Sequence, residues 1–308
     1  MADLTPAAQH WLAAHHGVIT TGRLRMLGVR RPTQARLVRV GVLRMVERGV
    51  FVVSSTPSTL EQRCALACAA HPSGFVTGPT GGTLLALRRM PPSAPLHLAV
   101  RHGIHLPSLA GVRYRQTTII SPSDRVTRDD GITVASPARL AFDLAADLSP
   151  LDHLSVVEQL LHTGRVTVEE LLAVDRRLGH PGRRGSGAFR RTLERLGSAP
   201  AESHPEVLLA DALERRGIPI ERQSRILALP NGRTARVDLA VPGVRWGVEL
   251  DIHPEHRSVD GHARDAGRVR QLHRVGWQVE QVTEPDLADI EALADELVLL
   301  YRNRIRVA

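Results

Sequence analysis

The sequence predicts a multidomain protein that combines α/β and α+β parts. Three observations lead to this fold class. The chain has 308 residues, more than one ordinary hydrophobic core accommodates. Its first 55 residues show short helical segments followed by a hairpin-like pair of strands. Its last 110 or so residues alternate strand and helix signals, which is typical of a sheet covered by helices.

Composition shifts and turn signals divide the chain into four predicted parts. Residues 1–55 form a small helical domain with a hairpin, and residues 56–150 form a mixed α/β region. Residues 151–198 form a helical linker region, and residues 199–308 form a second α/β domain. A run of glycine, proline and arginine at 179–187 predicts a flexible basic link.

The first part reads as three helices and a hairpin. A helix over 7–17 ends at a glycine, and Thr20 or Thr21 can cap the next one. Pro32 suits the first turn of a third helix, in which Leu37 and Val40 predict the buried stripe. The segment VLRMVERGVFVV then reads as two short strands. Helix, turn, helix and hairpin are the layout of a winged helix-turn-helix.

Four polar residues of the third helix, Thr33, Gln34, Arg36 and Arg39, are predicted to face outward, and Arg48 lies in the hairpin. A helix with such a face can enter the major groove of double-stranded DNA. Arginine–phosphate contacts would supply most of the affinity, while Gln34 and Arg36 could contact base edges. The alternative is a solvated basic face that docks onto the rest of the protein.

The distribution of charge favours nucleic-acid binding by the front of the chain. The net charge is +8. Residues 1–200 carry 25 basic and 14 acidic side chains, whereas residues 201–308 carry 15 and 18. Eight arginines and one glutamate lie between Arg23 and Arg48. All forty basic residues are arginine, so lysine chemistry is excluded.

The middle of the chain carries no recognisable chemistry. A helix over 59–70, three short strands and a helix from Pro137 are expected there. The glycine-rich segment 74–87 lacks the Gly-Lys-Ser/Thr ending of a phosphate-binding loop. Cys64 and Cys68 are predicted to be small buried residues. Low cysteine content, no apolar span and no signal peptide predict a cytoplasmic protein without a membrane partner.

The last part contains the residues with the clearest chemical meaning. Its predicted order is α-β-β-β-α-β-α, with Asn231-Gly232 as a hairpin turn. Asp238 lies on one strand, and Glu249 and Asp251 alternate on the next. Three carboxylates on neighbouring strands suit the oxygen ligation of Mg²⁺ or Mn²⁺. Such a cation promotes phosphodiester hydrolysis.

That element order resembles the restriction-endonuclease-like superfamily. Within it, the very-short-patch-repair-like group, or domain of unknown function 559, is similar over about the last 105 residues. The matching motifs are Ser203 with Glu206, Val237-Asp238-Leu239, Glu249-Leu250-Asp251, His256, Asp265 with Arg268, and Gly276-Trp277. Members usually have glycine after the E-x-D motif, whereas this chain has Ile252.

The resemblance implies a metal-dependent DNA endonuclease. Asp238, Glu249 and Asp251 would be the metal ligands, with Glu249 and Glu206 also contributing to catalysis. Superfamily nucleases commonly carry a lysine where this chain has Asp251, and arginine cannot replace it as a base. His256 would therefore be the general acid or base, and Arg268 or Arg264 would hold a phosphate. Glu206 can equally be part of a helix cap with Ser203.

The front of the chain, over about residues 5–150, is similar to the AbiEi-type antitoxin domain of bacterial type IV toxin–antitoxin systems. The segments that carry this resemblance are RLRMLGV, ARLVRVGVLRMVERGVFVV, GPTGGTLLAL and SPARLAFDLA. It implies DNA binding, transcriptional control and a cognate toxin as a partner. Three hypotheses follow for the whole chain: a DNA-binding endonuclease, an antitoxin-like repressor with a degenerate nuclease fold, or a toxin-binding partner without DNA contact.

Overall fold

The protein is a mixed α/β chain with three β-sheets, which confirms the predicted class. The computed structural model describes residues 4–92, 95–104, 106, 109–196, 203–226, 229, 232, 234–251 and 268–307. Two compact units result: unit one comprises Met1–Asp147 with Val168–Phe189, and unit two comprises Leu148–Thr167 with Arg190–Ala308. The predicted helical region 151–198 therefore contributes to both units. None of the described helices is long and apolar enough to cross a membrane.

Unit one begins with three short helices and a three-stranded antiparallel sheet. The elements are α1 (Pro6–Ala14), β1 (Val18–Thr20), α2 (Thr21–Met26), α3 (Arg31–Arg39), β2 (Leu43–Glu47) and β3 (Val50–Val53). The strand order is β1-β3-β2. Thr20 caps α2 by accepting a hydrogen bond from the Arg23 N–H. Strand β1 is too short to show an alternation in the sequence and was not expected.

The core of this first part is formed by Leu12, Leu24, Leu37, Leu43 and Phe51, together with smaller apolar residues. Burial of Leu37 confirms one half of the predicted apolar stripe on α3. The other half was wrong, because Val40 is 59% exposed. Helix α3 ends at Arg39, so the chain leaves the helical path at Val40 and its side chain no longer follows the stripe.

A five-stranded sheet forms the second part of unit one. Its elements are α4 (Leu60–Ala70), β4 (Phe75–Val76), α5 (Gly78–Leu84), β5 (Leu96–Arg101), β6 (Val112–Thr117), β7 (Arg125–Thr127), β8 (Thr133–Ala135) and α6 (Pro137–Leu144). The strand order is β6-β5-β4-β8-β7. Cys64 and Cys68 are buried on α4, as predicted. Burial raises the pKa of Cys64 to about 12 and that of Cys68 to about 11, so both thiols stay protonated at neutral pH.

Unit two is built around a four-stranded sheet with the order β12-β11-β10-β9. Its strands are β9 (Glu221–Ile226), β10 (Ala235–Val241), β11 (Trp246–Asp251) and β12 (Gln278–Thr283). Its helices are α7 (Pro150–His162), α10 (His204–Arg215), the helical residues 268–274 (α11) and α12 (Ile290–Val307). Helices α8 (Val168–Leu178) and α9 (Ser186–Glu194) precede α10, and the boundary between the units falls within α9.

From α10 onward, the elements follow the predicted order of helix, three strands, helix, strand and helix. Strands β9, β10 and β11 pair antiparallel, and β11 pairs with β12 in parallel. Leu209 and Leu297, from α10 and α12, pack in one apolar cluster with Leu239 and Val248 of the sheet. Leu272 of α11 packs in a second cluster. The helices thus fix the central strands on which the predicted site residues lie.

A buried ion network stabilises unit one. Asp124 is fully buried and binds both Arg139 and Arg177, and Arg139 also binds Asp143 at 3.0 Å. Burial would raise the pKa of Asp124, but hydrogen bonds from Arg177 and the Ser121 N–H, with the charge of Arg139, hold it below the usual value. A group of this kind stabilises the fold above its unfolded-state pKa, near 3.9, and that contribution is lost as the pH falls through the lower folded-state pKa.

We expect Asp124→Asn to lower the free energy of unfolding at pH 7 by about 3 kcal/mol, because two arginines lose their buried counter-charge. The variant should also lose less stability than the wild type when the pH falls below about 4. Urea denaturation followed by circular dichroism measures both effects. Asp129→Asn, at an exposed position two residues from Gly131, is the control, and equal stability of Asp124→Asn and this control would contradict the network's role.

Candidate functional site

Helices α2 and α3 and the β2–β3 hairpin present a basic surface. Its exposed arginines are Arg25, Arg30, Arg31, Arg36, Arg39, Arg44 and Arg48. An open groove of about 720 Å³ lies between α3 and the hairpin, and Arg31 and Arg48 line it. This basic surface places seven guanidinium groups on one part of unit one, with only Glu47 as an acidic residue among the same elements.

The outcome for the predicted DNA-contacting residues of this surface is mixed. Arg36, Arg39 and Arg48 are exposed, and Thr33 is half-buried. The placement of Gln34 was wrong. Its side chain is only 5% exposed, and its Nε2 donates a hydrogen bond to the Val29 carbonyl at 2.8 Å. Gln34 lies three residues before Leu37 and therefore shares its buried helix face.

In unit two, two hydrogen-bonded groups lie against the adjacent strands β9, β10 and β11, and together we call them the polar cluster. One group is Glu206, Gln223 and Asp238, and the other is Glu249 with Arg268. Glu206 is buried at the start of α10, where the Ser203 hydroxyl accepts a hydrogen bond from its backbone N–H at 3.3 Å. Its carboxylate instead accepts from Gln223 Nε2 at 2.7 Å. Ser203 thus caps α10 through the Glu206 N–H, which is one half of the predicted capping box, while the Glu206 carboxylate binds Gln223.

Gln223 joins carboxylates from two elements. Its Nε2 lies 2.7 Å from Glu206 Oε2 and 3.3 Å from Asp238 Oδ1. The other oxygen of Asp238 accepts a hydrogen bond from the Leu250 N–H at 2.9 Å. Asp238 therefore lies beside the E-x-D segment of β11, as expected from the sequence.

Glu249 is paired with an arginine. Its side chain is 7% exposed, and Oε2 lies 2.6 Å from Nη2 of Arg268, whose side chain is 38% exposed. Arg268 Nη1 also donates to the Arg236 carbonyl at 3.2 Å. This pair compensates the buried carboxylate, because an ion removed from water needs a partner. Arg268 therefore binds the Glu249 carboxylate in this structure, whereas the sequence predicted that it would bind a phosphate.

The predicted cation site is incomplete in the part of the chain that the structure describes. Asp251 is half-buried at the end of β11. His256, Asp265 and Ile252 lie outside the described residues. Within the described ranges, no three His, Cys, Asp or Glu side chains come together as a metal-binding group. The candidate metal ligands are carboxylate oxygens, which Mg²⁺ prefers. In this structure, however, Gln223 binds the carboxylates of Glu206 and Asp238, and Arg268 binds that of Glu249.

Sequence reasoning missed Gln223. It lies in a strand with no motif around it, and glutamine is not a residue type that suggests metal ligation or acid–base chemistry. The only available signal was the predicted hairpin, which pairs its strand with that of Asp238. In the structure, Ser224 pairs with Val237 and Arg222 with Leu239, so Gln223 lies opposite Asp238.

Comparison with known proteins finds proteins similar to this chain, and their descriptions state no function. No family model matches the chain. Two Mycobacterium tuberculosis proteins, described as uncharacterized proteins MT2308 (strain CDC 1551 / Oshkosh) and Rv2248 (strain ATCC 25618 / H37Rv), are each 25% identical over 205 residues, 64% of this chain and 73% of the relative. The crystal structure of the RV2827C protein from Mycobacterium tuberculosis gives a TM-score of 0.40 at 17% identity, covering 73% of this chain and 91% of that one. This TM-score is too low to support a fold assignment.

We expect Gln34→Ala to lower the free energy of unfolding by about 1–3 kcal/mol, because it removes a buried hydrogen bond and leaves the Val29 carbonyl without that donor. Arg39→Ala, at an exposed position on the same helix, should change stability by less than about 0.5 kcal/mol. Urea denaturation monitored by circular dichroism compares the two variants. Equal, small effects would contradict the structural role of Gln34.

Proposed function

We propose that this chain is a DNA-binding protein whose unit two hydrolyses phosphodiester bonds with the help of Mg²⁺ or Mn²⁺. The observation that carries the proposal is the polar cluster: Gln223 links Glu206 of α10 to Asp238 of β10, and Asp238 accepts a hydrogen bond from the Leu250 N–H, next to Glu249 of β11. Two of these carboxylates, on Glu206 and Glu249, are buried. Each is matched by a donor, Gln223 or Arg268, and carboxylates beside the E-x-D segment suit a role in cation binding.

The basic surface supports the DNA-binding half of the proposal. Three helices followed by a hairpin fit a winged helix-turn-helix, with α3 as the helix that enters the major groove. Arg36 and Arg39 lie exposed on α3, and Arg48 lies exposed in the hairpin. These arginines would bind phosphates and base edges. With Gln34 buried, Arg36 becomes the main candidate for a base contact.

For unit two we propose a restriction-endonuclease-like fold. Asp238, Glu249 and Asp251 would hold the cation, which supplies a water of lowered pKa and neutralises charge on the phosphate. Glu249 can join that set only if Arg268 leaves it, and the released guanidinium would then be available for a DNA phosphate. His256 would accept or donate the proton, and Glu206 would hold Gln223 in place.

A second candidate function is a repressor without catalytic activity. It is favoured by the Arg268–Glu249 ion pair and by the missing three-acid group in the described part of the chain. In this case unit two would keep the nuclease architecture for packing or for contact with a partner, such as the cognate toxin suggested by the antitoxin resemblance. DNA binding is common to both candidates, and only cation binding and cleavage separate them.

We expect the double variant Arg36→Ala/Arg39→Ala to bind a duplex of about 30 base pairs at least about 10-fold more weakly than the wild type. The negative slope of log K against log salt concentration should become less steep by about 2, since two phosphate contacts are lost. Fluorescence anisotropy over a salt series measures both. The matched control, Arg302→Ala/Arg306→Ala, removes two exposed arginines from α12. If both double variants weaken binding equally, the basic surface has no special role.

We expect the wild type to nick or linearise supercoiled plasmid in the presence of Mg²⁺ or Mn²⁺. Asp238→Asn should lower the cleavage rate by about 100-fold or more, the scale of losing one group that stabilises charge in a transition state. Asp295→Asn, at an exposed position on α12, should cleave like the wild type. Equal cleavage by wild type and Asp238→Asn would contradict the proposed site. No cleavage with either cation, together with intact DNA binding, would favour the repressor.

A further inference from the structure

We propose that Gln223 is the positioning residue of the polar cluster, and that its side-chain amide holds the carboxylates of Glu206 and Asp238 beside each other until a cation binds. This inference rests on the proposed function, because one of the two carboxylates, that of Asp238, belongs to the proposed cation site. No role was expected for this residue from the sequence. The supporting observations are its register, its hydrogen bonds, its burial and its backbone conformation.

The register places Gln223 at the right point of the sheet. The flanking pairs, Ser224 with Val237 and Arg222 with Leu239, set Gln223 directly opposite Asp238 on the neighbouring strand. Side chains of directly opposed residues lie close together in an antiparallel pair. Glu206 reaches the same point from α10, so the glutamine lies between carboxylates of two different elements.

The chemistry of the amide fits this position. An amide NH₂ has two hydrogens and can donate one to each carboxylate, whereas the amide oxygen would repel both. The observed contacts at 2.7 and 3.3 Å use Nε2 for both bonds. Because the donor carries no formal charge, it places no positive charge between the two carboxylates. A cation can therefore still be attracted to them, which an arginine in this place would oppose.

Two features of Gln223 oppose folding, which argues against a purely stabilising role. Its φ of +51° lies in the left-handed region, which non-glycine residues rarely adopt within a strand. Its side chain is buried, and Oε1 has no hydrogen-bond partner among the residues that the structure describes. A residue kept in a strained backbone with a buried oxygen unsatisfied is characteristic of a functional site.

The test compares two substitutions of Gln223 with a matched control in the same sheet. Gln223→Met keeps the size and removes both hydrogen bonds, and Gln223→Glu replaces the amide by a third carboxylate. The control is Gln278→Met, which removes a similar bond from Gln278 Nε2 to Glu280 at 2.7 Å on β12. Mn²⁺ binding is measured by isothermal titration calorimetry on the full chain, and thermal unfolding by circular dichroism with and without Mn²⁺.

We expect Gln223→Met to bind Mn²⁺ at least about 10-fold more weakly than the wild type, because loss of preorganisation lowers affinity. The control should bind like the wild type. Gln223→Glu should unfold at a lower temperature than the wild type without Mn²⁺, since three carboxylates repel each other, and Mn²⁺ should raise its unfolding temperature more than that of the wild type. Wild-type Mn²⁺ affinity in Gln223→Met, or an unchanged metal-free unfolding temperature in Gln223→Glu, would overturn the proposal.

A double-variant cycle separates this inference from the proposed function. If Gln223 holds Glu206, the shifts in unfolding temperature of Glu206→Gln and Gln223→Met are not additive, and they differ from additivity by about 2 °C or more. This holds even if the wild type binds no Mn²⁺, in which case the proposed function fails and the positioning role stands. Additive shifts in a chain that binds Mn²⁺ would overturn the positioning role alone.

Discussion

A carboxylate that is removed from water must be matched by hydrogen-bond donors, and the sheet of unit two meets this constraint at three buried glutamates. Glu158 on α7 binds Arg222 of β9, and both side chains are almost fully buried. Glu206 binds the neutral amide of Gln223, and Glu249 binds Arg268. The arrangement of α7, α10, α11 and the central strands depends on these matches, because each one joins a helix to the sheet. Removing any one of these donors would weaken the link between its helix and the sheet.

The three donors differ in charge and in exposure, and these differences distinguish a structural role from a role in the proposed function. Arg222 is buried with its partner, so that pair serves packing. Arg268 is more exposed, so solvent or a phosphate can compete for it. Gln223 donates hydrogen bonds without adding a positive charge, and its φ lies in the left-handed region. The region with an exchangeable arginine and a strained glutamine is also the region of the E-x-D segment. Under the proposed function, the cluster is a cation site held closed by the protein's own side chains.

Much of the architecture followed from the sequence, because long periodic segments and strong turn signals report local structure. The element order of unit two, the helix cap at Thr20 and the buried cysteines are examples. Very short strands such as β1 gave no period to detect. Val40 and Gln34 show a second limit of predicting exposure from the sequence. Val40 lies one residue beyond the end of α3 and is exposed, whereas Gln34 shares the helix face of Leu37 and is buried. The placement of Asp238 beside β11 was expected, whereas the amide between Asp238 and Glu206 depends on tertiary packing of α10 against the sheet. Spacing along the chain carries no information about such a contact.

We propose that the carboxylates of Asp238 and Glu249 accept a divalent cation once Arg268 leaves Glu249. Anomalous diffraction from crystals soaked in Mn²⁺, with a short DNA duplex bound, tests it most directly. We expect an anomalous peak within carboxylate ligation distance of both residues. We also expect the guanidinium of Arg268 to bind a DNA phosphate instead of Glu249. A map with no peak there, and with Arg268 still bound to Glu249 beside the DNA, would contradict it.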